Sequence, residues 1–64
     1  MTPDELRAAL DRVFPGKAPQ RQAAVALQRD QGTVSRWCLG KQAIPAELPL
    51  LLHAWERHPD LVPR

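Results

Sequence analysis

Proline placement limits this chain more than any other feature. A proline inside a helix removes an amide donor and clashes with the preceding turn, at about 3 kcal/mol, whereas in the first turn it costs little. Pro3, Pro19 and Pro49 suit helix starts, Pro15 and Pro59 suit helix stops, and Pro45 lies in a connector. Between these marks the apolar residues recur at helical spacing, and no segment alternates as a strand does. The expectation is an all-α, compact four-helix domain spanning residues 1–64, with helices at about 3–14, 20–28, 31–38 and 47–58.

Local signals support each helix. Thr2-Pro3-Asp4-Glu5 reads as a capping box, followed by an apolar stripe of Leu6, Leu10, Val13 and Phe14. Pro15-Gly16 ends that helix. In the second segment Ala23, Ala24 and Leu27 form the inner face, and two small residues in succession let another helix approach closely. Asp30 suits the N-cap of the third segment, and Gly40 suits its end. Val34, Trp37 and Cys38 make the buried side there, leaving Gln31, Gly32, Ser35 and Arg36 on the other. That assigns Trp37 to the core rather than to stacking on a base. The fourth segment places Leu48, Leu51, Leu52 and Trp55 inward, with Leu50 and Ala54 widening the apolar face. Asp60–Arg64 reads as a short tail.

Composition narrows the function classes. A chain of 64 residues buries only roughly 60 % of its unfolded surface, so its stability is marginal. The single cysteine, Cys38, allows no internal disulfide and fits a reducing cytoplasm. The apolar run Leu48–Leu52 is interrupted by proline and far too short for a membrane span, and Asp4 and Glu5 sit where a signal peptide would be basic. His53 and His58 are five apart and do not share a helix face, carboxylates are scattered singly, and no glycine-rich loop is present. No enzyme activity, metal, cofactor or membrane partner is therefore expected, and no residue pattern predicts a small-molecule effector.

Charge is uneven. Residues 15–42 carry Lys17, Arg21, Arg29, Arg36 and Lys41 against Asp30 alone, while the segments on either side are each net negative by one. A concentrated basic patch attracts phosphate with salt-dependent affinity. Combined with two short helices joined by about three residues, the second with a polar outer face, the pattern over residues 20–38 predicts a helix-turn-helix.

The residues that carry a family resemblance are Gln20, Ala23-Ala24, Leu27, the run Thr33-Val34-Ser35-Arg36-Trp37, Gly40 and Ile44-Pro45. Over residues 20–45 the chain resembles the helix-turn-helix of the Cro/C1 (lambda-repressor-like) family of bacterial and phage regulators. Its small size and the ERHPDL tail are similar to small phage autoregulators, including anti-CRISPR-associated proteins. The resemblance implies a homodimeric transcriptional repressor in the bacterial cytoplasm, binding double-stranded DNA at an inverted-repeat operator. It also implies base-edge contacts by Gln31, Ser35 and Arg36, with arginine suited to guanine and glutamine to adenine. Gln20, Arg21, Arg29, Thr33, Lys41 and Gln42 become candidates for the DNA backbone. Leu50, Ala54, Leu61 and Val62 are candidates for the dimer interface, because the fourth segment and the tail hold more apolar surface than one small core can use.

Two positions depart from the family pattern. Gln28 and Arg29 stand where the family has glycine and an apolar residue, so either the turn is reshaped or the second helix runs longer. Gly32 offers no side chain for readout. A protein-interaction or antitoxin-like adaptor on the same fold is the competing expectation, and RNA binding a third. Exposed aliphatic or aromatic anchors would favour the adaptor, and exposed stacking aromatics would favour RNA.

Overall fold

Each helix begins and ends within a residue or so of its local signal. The computed structural model describes residues 1–63. It contains α1 (Pro3–Val13), α2 (Pro19–Leu27), α3 (Gln31–Leu39), α4 (Leu48–Arg57) and a short 3-10 turn, Pro59–Leu61. The described residues form an all-α bundle with a radius of gyration of 10.5 Å, close to the roughly 10.7 Å of a compact chain of this length. None of its helices is long and apolar enough to cross a membrane.

The capping box on α1 is complete. The Glu5 amide donates to the Thr2 hydroxyl at 3.1 Å, and the Thr2 amide donates to the Glu5 carboxylate at 2.7 Å. That carboxylate is held below its ordinary pKa by the Thr2 amide first and the Thr2 hydroxyl second. On α3 the Asp30 carboxylate accepts from the Thr33 amide at 3.2 Å. Pro3, Pro19 and Pro49 all fall in first turns.

One core joins all four helices. From α1 and its end come Leu6, Ala9, Leu10, Val13 and Phe14; from α2, Ala23 and Ala24; from α3, Val34, Trp37 and Cys38; from α4, Leu48, Leu52 and Trp55. Phe14 meets Trp55 edge to face, with centroids 6.1 Å apart. α2 packs on α3, and α1 contacts α2, α3 and α4. Arg12 forms an ion pair with Glu56, tying α1 to α4 at the surface.

Three expectations need correction. Leu51, assigned to the core, is 38 % exposed, because it lies at the edge of the buried stripe formed by Leu48, Leu52 and Trp55. The segment after Pro59 is not a plain tail. The 3-10 turn brings Val62 back into the core at 6 % exposure, so Val62 is not free to reach a second subunit. Finally, α2 neither lengthens nor avoids the left-handed turn: Gln28 adopts φ 56°, ψ 41°.

Candidate nucleic-acid interface

The segment from Pro19 to Gln42 carries the candidate residues, and α3 is fixed within it from three directions. Its inner side is locked by Val34, Trp37 and Cys38, all buried. The Trp37 indole Nε1 is buried without an acceptor among the described residues. Burial raises the Cys38 thiol pKa, which keeps it a neutral core group. At the C-terminal end Arg7, itself paired with Asp4, donates from α1 to the Cys38 carbonyl, one of the carbonyls a helix end leaves without an internal partner. At the N-terminal end Asp30 caps the first turn. With so many restraints, the outer face of α3 is presented at a defined angle.

That outer face holds Gln31, Gly32, Arg36 and Leu39 exposed, with Ser35 half-buried. Gln31 and Ser35 are one turn apart on the same side. Arg36 does not extend freely into solvent. Its Nε donates to the Gln42 side-chain oxygen at 3.0 Å, and its Nη2 donates to the Thr33 hydroxyl at 3.2 Å. The Thr33 hydroxyl in turn donates to the Asp30 carboxylate, 2.9 and 3.1 Å from its two oxygens. A hydroxyl has one proton, so Thr33 gives it to Asp30 and can only accept from Arg36. These bonds hold the Asp30 carboxyl below its ordinary pKa, the Thr33 hydroxyl contributing most and the Thr33 amide next.

Gly32 adjoins the same cluster. A Cβ at this position would stand 3.3 Å from the Arg36 Nη1, so the missing side chain leaves room for the guanidinium to lie back along the helix.

Thr33, Arg36 and Gln42 are thus brought together by hydrogen bonds, with Gln31 and Ser35 on the same helix. The other expected contact residues are dispersed. Gln20 is half-buried and lines a depression with Arg7, Leu10 and Asp11 of α1. Arg21 lines a groove of about 380 Å³ with Val13, Phe14, Pro15, Gln22, Val25 and Pro63. Arg29 is exposed in the α2–α3 turn and borders a small recess with Trp37, Glu47 and Leu48. Lys41 is exposed directly after α3.

Sequence reasoning missed two features of this face. The sequence marks Asp30 only as a cap, yet its Thr33 contact extends the cluster to Arg36. Leu39, 62 % exposed, shares the outer face, so that face is not wholly polar. Its position seven residues after Gly32 and four after Ser35 was the available signal.

Compared with known proteins, the chain matches no family model, no curated protein and no solved structure.

Proposed function

We propose that the protein is a sequence-specific double-stranded DNA-binding module of the lambda-repressor-like kind, with α2 and α3 as its helix-turn-helix and α3 in the major groove. One observation carries this reading. α3 is held rigidly on its apolar side while Gln31, Ser35 and an oriented Arg36 occupy its outer face, the donor and acceptor set that base edges require. Exposed Arg21, Arg29 and Lys41 supply the backbone attraction.

A single module this small reads few base pairs, so the proposal includes a two-fold dimer on an inverted repeat, with recognition helices about 34 Å apart. Leu50 at 74 % and Leu61 at 59 % exposure, with half-buried Ala54, are the apolar residues proposed for that contact. The family resemblance extends the proposal to repression, including autoregulation, by occupancy of a promoter. Sedimentation at micromolar concentration checks the dimer, and Leu50→Glu should shift it to monomer.

The adaptor alternative draws its support from Leu39, an exposed aliphatic anchor on the same face. Selection from random duplex DNA decides between them. A palindromic motif is expected; enrichment of no sequence would sink the DNA proposal in favour of the adaptor.

A further inference from the structure

Gln42 lies beyond the end of α3, past Gly40, where a polar side chain is ordinarily assigned to the phosphate backbone. Its geometry indicates something else. The Gln42 side-chain oxygen is engaged by the Nε of Arg36, and Thr33 engages the Nη2 of the same guanidinium. We propose that Gln42 is a positioning residue, which together with Thr33 and the space left at Gly32 sets the plane of the Arg36 guanidinium for a guanine edge. This inference rests on α3 being the recognition helix.

Three physical points support it. First, an arginine presents five N–H donors in a fixed planar fork. Gln42 and Thr33 occupy two, which leaves three, including both on Nη1, to meet acceptors such as guanine O6 and N7. Second, arginine has many rotamers, and a guanidinium held before contact loses less freedom when it binds. Third, Arg36 is linked through the Thr33 hydroxyl to the Asp30 carboxylate, so the guanidinium is tied to the group that caps α3. Gly32 completes the arrangement, since a Cβ there would crowd Nη1 at 3.3 Å.

The test uses operator duplexes obtained by selection, substituted one base pair at a time, with full-length variants. Arg36→Ala identifies the base pair that Arg36 reads. Gln42→Ala should reduce discrimination at that same base pair by about threefold to tenfold, the worth of one hydrogen bond, with an unchanged salt slope. Gln42→Glu keeps an acceptor for Nε and should restore the preference while lowering affinity for all duplexes, because it adds negative charge beside phosphate. Gly32→Ala should lose discrimination at that base pair while keeping or raising its melting temperature, since alanine favours helix. A structural role alone predicts the reverse for Gly32→Ala, unchanged discrimination. The positioning role is overturned if Gln42→Ala weakens every duplex equally with a shallower salt slope, or if it leaves the preference intact. If Arg36→Ala itself erases no base preference, the assignment of α3 as the recognition helix fails first, and the role of Gln42 fails with it.

Discussion

α2 and α3 are neighbours of equal length, nine residues each, yet their ends are built from opposite chemistry. α3 starts on an Asp30 cap and finishes on Gly40 at φ 76°. α2 starts on Ala18 at φ 54°, with no side-chain cap, and finishes on Gln28 at φ 56°. The backbone bonds that close the two helices are nevertheless the same. The Arg29 amide donates to the Ala24 carbonyl and the Gln28 amide to that of Val25, while the Lys41 amide donates to the Arg36 carbonyl and the Gly40 amide to that of Trp37. Both are Schellman closures, which place one residue in the left-handed region. Glycine adopts that region freely, whereas a residue with a Cβ is strained there by about 1–2 kcal/mol. The chain has therefore put its favourable end chemistry on α3, the helix that presents Arg36, and left its strain on α2.

The contrast predicts unequal responses to matched substitutions. The largest effect is expected from Gly40→Ala, which adds at the end of α3 the same kind of strain that Gln28 places on α2. Its new Cβ would meet Pro3 Cγ at 3.4 Å, an ordinary contact, so the penalty is conformational. Denaturant melts should show a loss of about 1–2 kcal/mol.

Asp30→Ala comes next, since it removes the α3 cap and should lower Tm by about 4–8 °C near neutral pH. The difference from wild type should narrow in acid. The Asp30 carboxyl has a lowered pKa in the fold, so as pH falls the unfolded chain takes up its proton first. The contribution is complete above about pH 4 and is lost as pH drops through the folded value. A gap that widens in acid would contradict the cap assignment.

The smallest change is expected in the opposite direction. Gln28→Gly relieves the left-handed side chain but gives the unfolded chain more freedom, for a net gain of up to about 1 kcal/mol. Ala18→Gly should shift stability the same way by a similar amount, because both residues carry one Cβ in the left-handed region and gain similar backbone freedom on replacement. If Gln28→Gly destabilises the protein, the strain assigned to α2 is misplaced.

How much of this was legible in the sequence depended on distance along the chain. Relations within one helical turn could be read directly: the Thr2–Glu5 box, the Asp30 cap, and the buried set of Val34, Trp37 and Cys38. The left-handed turn at Gln28 was legible as a conflict, because glutamine stood where a glycine was wanted. Ala18 carried no such signal, since alanine is ordinary before a helix. Contacts that depend on packing were invisible. Arg7 reaches Cys38 and Arg12 reaches Glu56 only once α1 lies across α3 and α4. Val62 is buried because the Pro59–Leu61 turn reverses the chain, which tail composition does not encode. Within the candidate site, Gly32 and Arg36 are four apart and readable as neighbours, but Gln42 joins them only through the bend at Gly40.

The central claim is that the outer face of α3 reads bases through Arg36. The most direct test is the specificity ratio, measured as affinity for a selected operator against affinity for unrelated duplex DNA at one fixed salt concentration. Arg36→Ala should lower operator affinity by about 5- to 150-fold for each half-site, the worth of one bidentate guanine contact, and barely change binding to unrelated duplex. Equal losses on both duplexes, or no loss on either, would contradict the claim.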